Sequence, residues 1–332
     1  MKYRRVRQID HDFSVLGYGC WGASGRDSWT KHSDKDQIEA IQVAIGLGVN
    51  FFDVAPVYGM GHAEKVLGKA IKGQRNKIFI ATKAGLPWND KGEVRNDVSR
   101  DSLLKEIDDS LSRLGVSHVD LLQVHWPTAT GIPLEETINA MKTIRDSGKT
   151  RYIGLSNYSV SDIHKASQIV DIVSMQGLYN MFEQNAEAYH TIPLQYRTSR
   201  EIFPYVKEKG MAFYPYSPMF QGLLTGKITA DTVFGDGDVR HDNPKLHDEN
   251  RKKYLALLDK VRNLEPLKDK QLNEIAINYL VGKEEVTSII ATVMNKDELL
   301  QNIKALEWEM LKETVLEIDG MVEEFERNNQ KG

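Results

Sequence analysis

Short runs of β-branched and aromatic residues alternate along this chain with longer stretches whose apolar residues return every three or four positions. The runs have the unbroken apolar character of strands covered on both faces, whereas the longer stretches read as amphipathic helices. A hairpin is predicted over residues 2–15, followed by strands at 15–19, 51–54, 78–82, 119–124, 152–155, 172–175, 211–214 and 286–291. The first helix is predicted to begin at Asp34 or Asp36 and to bury a stripe of Ile38, Ile41, Ala44, Ile45 and Leu47. Further helices are predicted at 63–71, 99–114, 134–147, 159–170, 199–209, 269–280 and 296–305, with Gly115 and Gly148 as stop signals. Strands that alternate with helices pair in parallel through right-handed crossovers, and eight such units close a barrel. The expected fold is therefore α/β: one (β/α)8 TIM-barrel domain over residues 1–332 with an N-terminal hairpin. A long insertion after strand seven, with a helix near 249–263, and a C-terminal helix at 309–327 complete it.

Composition narrows the picture. At 332 residues and 41% hydrophobic, the chain can bury a large core, and a net charge of −4 gives no electrostatic case for nucleic acid or an anionic membrane. Cys20 is the only cysteine, which excludes an intrachain disulfide and fits a reducing compartment. The amino terminus lacks the apolar core of a signal peptide and no stretch is apolar enough to span a bilayer, so a cytoplasmic location is expected. The histidines show no metal-binding spacing, and no metal is expected.

Candidate chemistry clusters at strand ends. Asp53 closes the strand in the segment FFDVAPVYG and Tyr58 follows on a loop; Lys83 ends KIFIATK and His125 ends VDLLQVH. If these strands share a barrel, all four groups converge on the mouth where barrels build their sites. The segment from Gly17 to Gly22 also matches G-x-G-x-x-G, but a polar loop holding Arg26, Asp27, Trp29 and Lys31 stands where a dinucleotide-binding helix would open. Asp53 also lies too far downstream to serve as that motif's acid.

These motifs, together with YIGLSNYS, MQGLYN and YSPMFQGLLTGK, resemble those of the aldo-keto reductases over nearly the whole chain. The likeness is to the bacterial inositol-utilisation and potassium-channel β-subunit branches. By that resemblance the hairpin plugs the barrel, Tyr58 is the general acid and base, Lys83 and Asp53 tune it, and His125 orients a carbonyl. The resemblance assigns Ser156, Asn157 and Gln176 to the nicotinamide carboxamide and Tyr216 to its ring. Ser217, Met219, Gly222, Leu223 and Lys227 are assigned to the pyrophosphate, and Thr292, Met294, Glu298 and Asn302 to the adenosine end. The implied cofactor is NAD(P)(H), and because Thr292, Met294 and Glu298 carry no positive charge, NAD(H) preference or dual use is expected. A free phenol has a pKa of about 10, and the ammonium of Lys83 is expected to lower it.

Trp21, Trp88 and Trp126 each follow a predicted strand and are candidates for an aromatic substrate pocket. The segment after strand six is long and holds Glu183 and Gln184 where relatives often carry a basic residue; it is expected at the mouth. The implied reaction interconverts aldehydes or ketones, including sugar-like carbonyls, with alcohols, on a small-molecule partner; the oligomeric state is open. The alternative is a barrel that senses cofactor and binds a partner protein with little turnover.

Overall fold

The computed structural model describes residues 1–25, 33–235 and 237–329, so the loop with Arg26, Asp27, Trp29 and Lys31 lies outside the described residues. Strands β1 (Tyr3–Val6) and β2 (Ile9–Ser14) form the antiparallel hairpin. Next, β3 (Leu16–Gly19), β4 (Phe51–Asp53), β5 (Phe79–Ala84), β6 (Val119–Val124), β7 (Thr150–Ser156) and β8 (Ile172–Leu178) pair in parallel in chain order. A short ribbon of β9 (Ala188–Tyr189) and β10 (Ile192–Pro193) precedes β11 (Ala212–Tyr216), which pairs with β8. Finally β12 (Ile289–Thr292) returns beside β3. The ladder order ends at β11 and β12, and Thr287 closes that seam: its Oγ1 accepts from the Phe213 N–H at 3.1 Å and its N–H donates to the Phe213 carbonyl at 2.9 Å.

Helices α1 (Asp34–Gly46), α2 (His62–Ala70), α3 (Arg100–Leu114), α4 (Leu134–Asp146), α5 (Val160–Ala166) and α6 (Phe203–Lys209) fill the first six crossovers. The insertion contains α7 (Asp248–Arg262); α8 (Leu272–Val281), α9 (Lys296–Lys304) and α10 (Lys312–Asn329) follow. The start of α1 is a reciprocal capping box in which Ser33 Oγ accepts from the Asp36 N–H and Asp36 accepts from the Ser33 N–H. Leu47, expected in the apolar stripe of α1, is 41% exposed, because the helix ends at Gly46 and its buried face is Gln37, Ala40, Ile41 and Ala44. Helix α6 starts later than expected: a wide π turn at Thr198–Ile202 precedes it, next to Pro204, which has no N–H to give an ordinary helical turn.

The core has two layers. Ile9 and Phe13 of the hairpin enter the barrel and meet Phe51, Phe79, Leu121 and Tyr214, with the Phe13 and Phe79 rings 4.9 Å apart. The larger layer lies between the strands and their helices. There Glu106 of α3, buried, accepts from the Gly85 N–H at 3.0 Å just past β5. Burial pushes this carboxyl up to about 7, against the pull of the Gly85 N–H. A carboxyl raised in the folded state contributes stability that is complete below its unfolded value, about 4.3, and lost as pH rises through the folded one. Glu106→Gln keeps the acceptor without the charge, so from pH 5 to pH 8 it is expected to gain about 1–3 kcal/mol on the wild type in urea unfolding. An unchanged gap between the two proteins would contradict this.

Candidate active site

Alternation of side chains along each strand decides which groups reach the barrel axis. On β4, Phe51 lies inside and Phe52 outside, so Asp53 faces in; on β5, Phe79 and Ala81 lie inside, so Lys83 does too. On β6, Leu121 faces in while Leu122 and Val124 face the helices, and the same parity carries His125, one residue past the strand, to the mouth. Tyr58 reaches the mouth from a tight turn in which its N–H donates to the Ala55 carbonyl at 3.1 Å. Gly59 holds that turn in place. Its φ is +60° and a Cβ there would sit 1.9 Å from the Ser24 carbonyl oxygen, so no other residue fits.

The ammonium of Lys83, 0% exposed, spends its three protons on Asp53 Oδ2 at 2.6 Å, the Val54 carbonyl at 3.2 Å and Tyr58 Oη at 3.3 Å. Asp53 uses its other oxygen to accept from Gln176 Nε2 at 2.8 Å. Both members of the buried pair are thus hydrogen-bonded as well as paired, the condition under which burying charge is tolerable. The rings of Tyr58 and His125 stand 6.0 Å apart and nearly perpendicular. Burial, reinforced by the Lys83 ammonium, holds the His125 imidazole well below its usual range, so it is neutral at pH 7.

The expectation that Lys83 lowers the Tyr58 phenol is overturned. Burial and then the Asp53 carboxylate raise it well above 10, because Asp53 offsets the ammonium it binds. Tyr58 therefore keeps its proton throughout the neutral range.

Above this cluster lies a cavity of about 540 Å³. Asp53, Tyr58, His125, Trp21, Trp126, Ser156, Asn157, Gln176, Tyr216, Ser217, Met219, Gly222 and Thr292 all line it. Asn157, at φ +66°, organises one wall: its Oδ1 accepts from Tyr216 Oη at 2.8 Å and Tyr196 Oη at 3.0 Å. Its Nδ2 donates to Ser156 Oγ and to the His125 carbonyl, each at 3.2 Å. Beyond Tyr216 the backbone takes positive φ at Ser217, Phe220, Gln221 and Gly222, and Gly222 leaves open the space a Cβ would fill, its nearest neighbour 3.8 Å away. Non-glycine residues in that region carry strain of order 1–3 kcal/mol each, which the fold sustains at ligand-wrapping sites. Amide and hydroxyl groups, an aromatic face and a bent loop with an open glycine form a lining that fits a nicotinamide nucleotide.

Several expected site residues do not line this cavity. Trp88 is not in the cavity: its segment folds back to bridge Val94, and its ring packs 5.5 Å from the Arg113 guanidinium over a separate recess on α3. Leu223 is fully buried and Met294 is 4% exposed, its sulfur beneath Gly22. Lys227 pairs with Glu298 at 2.9 Å, Glu298 also accepts from the Met294 N–H at 3.0 Å, and Asn302 accepts from Asn273 at 3.3 Å. Glu183 and Gln184 are buried away from the cavity; Glu183 pairs with Lys245 of the insertion at 2.6 Å and Gln184 donates to Asp319 of α10 at 3.1 Å. What the segment after β8 does place at the mouth is Tyr189, His190, Thr191 and Ile192, and Gln221, Val239 and Asp242 also line the cavity. The sequence marks residues 189–198 as a segment for the substrate pocket but not which of its side chains enter it, and it gives no signal for Gln221, Val239 or Asp242. Tyr196 belongs to the same segment, and its hydrogen bond to Asn157 has no individual signal in the sequence.

Among the described residues no cluster of His, Cys, Asp and Glu could hold a metal, and no helix is long and apolar enough to cross a membrane.

This chain belongs to the Aldo/keto reductase family, whose model matches residues 15–323, and it is an oxidoreductase of carbonyl compounds in a family that uses NAD(P)(H). It is 32% identical over 286 residues to the aldo-keto reductase YhdN of Bacillus subtilis, covering 85% of this chain and 82% of that one. It is 27% identical to an NADH-specific methylglyoxal reductase of Escherichia coli, covering 92% of this chain and 94% of that one. The structure of a glycerol dehydrogenase from Gluconobacter oxydans superposes with a TM-score of 0.84 at 28% identity, covering 97% of this chain and 95% of that one.

Proposed function

We propose that the chain reversibly reduces small aldehydes and ketones, sugar-like carbonyls included, with Tyr58 as the proton donor to the carbonyl oxygen. The observation that carries this is the single ammonium, on Lys83, that touches both Asp53 and the Tyr58 hydroxyl at the floor of an open cavity. Bound NAD(P)H supplies the hydride. A phenol that keeps its proton at neutral pH is poised to release it as negative charge develops on the substrate oxygen, and the Lys83 N–H then stabilises the resulting phenolate. Neutral His125 can offer an N–H to the same oxygen, while Gln176 and Asp53 hold the ammonium in position. Ser156, Asn157 and Tyr216 are assigned to the nicotinamide, and the loop from Ser217 to Gly222 to the pyrophosphate. Trp21, Trp126 and Tyr189 give the pocket apolar walls and Asp242 and Gln221 polar ones, which suits small oxygen-bearing substrates. The names of two similar proteins, a methylglyoxal reductase and a glycerol dehydrogenase, agree with that size and polarity. A panel of aldehydes, sugars and polyols assayed with both cofactors tests the reading. Cofactor binding without turnover of any member would instead favour the sensor role.

We further infer NAD(H) preference or dual use. Among the described residues, two cations near the adenosine segment pair with carboxylates, Lys227 with Glu298 at 2.9 Å and Lys296 with Glu39 at 3.3 Å. A 2′-phosphate would face Glu298, and like charges repel. Met294 is too buried to host a charged probe, so the informative change is Glu298→Arg. It is expected to tighten NADPH about tenfold or more and to leave NADH within about threefold, as read by fluorescence titration. NADPH already binding more tightly than NADH in the wild type would contradict the inference.

A further inference from the structure

The ribbon of β9 and β10 carries His190 at its tip, in the left-handed region with φ +53°, over the cavity. The loop that follows Tyr216 carries Gln221, also left-handed at φ +51° and 7% exposed. The two strained tips meet: Gln221 Nε2 lies 2.5 Å from His190 Nε2. Behind Gln221 stands Asn243 of the insertion, 3% exposed, whose Nδ2 donates to Gln221 Oε1 at 2.8 Å. Asn243 Oδ1 in turn accepts from the backbone N–H of Lys245 at 3.1 Å.

That last contact fixes the sense of the whole chain. A backbone N–H can only donate, so Asn243 must present its oxygen to it and its NH2 to Gln221; Gln221 then presents its own NH2 to His190. His190 Nε2 has to accept, which requires a neutral imidazole with its proton on Nδ1. A protonated ring would set N–H against N–H and break the contact.

We propose that neutral His190 is a positioning residue that latches the substrate-side ribbon to the cofactor-wrapping loop through Gln221 and Asn243, and that its protonation opens the latch. The inference rests on the reductase reading for its catalytic consequence, but not for the latch itself. The charged groups facing the imidazole are Glu183 and Lys245, paired with each other at 2.6 Å, and Asp242 from the turn beside it. The Tyr189 ring covers another side, 4.4 Å from the imidazole. Burial outweighs the two carboxylates and lowers the imidazole below its usual range. The closed form therefore binds the proton less readily than the open form, so closure is complete at neutral pH and weakens as pH falls below about 6.5.

The test follows NADH affinity and the Michaelis constant of a small aldehyde from pH 7.5 to 5.5; NADH avoids the titrating phosphate of NADPH. In the wild type both constants are expected to rise about three- to tenfold toward pH 5.5, the worth of one hydrogen bond, with a smaller change in kcat. His190→Phe should show constants already raised at pH 7.5 and flat with pH. Gln221→Glu should reverse the trend, because a carboxylate accepts from both Asn243 and an imidazolium. An acid-side rise that survives in His190→Phe, or the wild-type direction in Gln221→Glu, would overturn the proposal. So would nitrogen NMR of the cofactor-free protein showing His190 protonated on Nε2 rather than Nδ1 at pH 7.5. A wild type that turns over no carbonyl compound would sink the reductase reading alone, since the NADH titration and the tautomer still judge the latch.

Discussion

Tyr58→Phe is expected to reduce kcat for every carbonyl substrate by about a hundred- to ten-thousandfold while the dissociation constant for NADH stays within about twofold. Phenylalanine preserves the ring that faces His125 at 6.0 Å and removes only the hydroxyl at the end of the Lys83 contact. The nicotinamide and pyrophosphate assignments fall on other residues, from Ser156 to Gly222, so cofactor binding has no reason to change. Steady-state rates and a fluorescence titration decide the matter together: a variant with near-wild-type kcat would remove Tyr58 from the chemistry. One that also loses NADH would show that the ring rather than the proton was the issue.

Lys83→Met should be damaging in two ways that can be separated. It deprives Tyr58 of the N–H at 3.3 Å that stabilises its phenolate, and it leaves the Asp53 carboxylate, 2% exposed, with Gln176 but no cation. Removing one partner from a buried pair costs about 3–5 kcal/mol, so a large fall in the urea midpoint should accompany the loss of turnover. Adding Asp53→Asn removes the stranded charge, and the double variant is expected to regain most of that stability yet remain inactive. Recovery of turnover along with stability would mean that Lys83 acts only by holding the fold.

The positions of Asp53, Lys83 and His125 were legible because strand parity is local: an apolar run has two faces, and its end lies one or two residues on. The phenol's elevated pKa was not legible, since it depends first on how completely the folded barrel buries the hydroxyl and then on the Asp53 carboxylate beside it, both matters of tertiary geometry. Trp88 misled for a related reason. It follows a strand as Trp126 does, but its chain doubles back through the Val94 bridge, and periodicity carries no information about such a turn. The mouth ribbon was foreseen as a long segment in the right place, yet which of its side chains enter the cavity depends on two left-handed residues in separate segments, His190 and Gln221. Glu183 and Gln184, conspicuous in the sequence, instead brace the insertion and α10.

The seam between β11 and β12 gives the barrel a mechanical character that a continuous sheet would lack. Seven strand-to-strand ladders run around the ring, and at the eighth junction Thr287 and Phe213 make the hydrogen bonds described above. The ring is in effect a horseshoe with a clasp. Tyr216 stands at the end of one arm and Thr292 at the end of the other, both on the cavity wall. A molecule lying across that wall and touching both arms is a second clasp, so occupancy of the site and closure of the horseshoe reinforce each other.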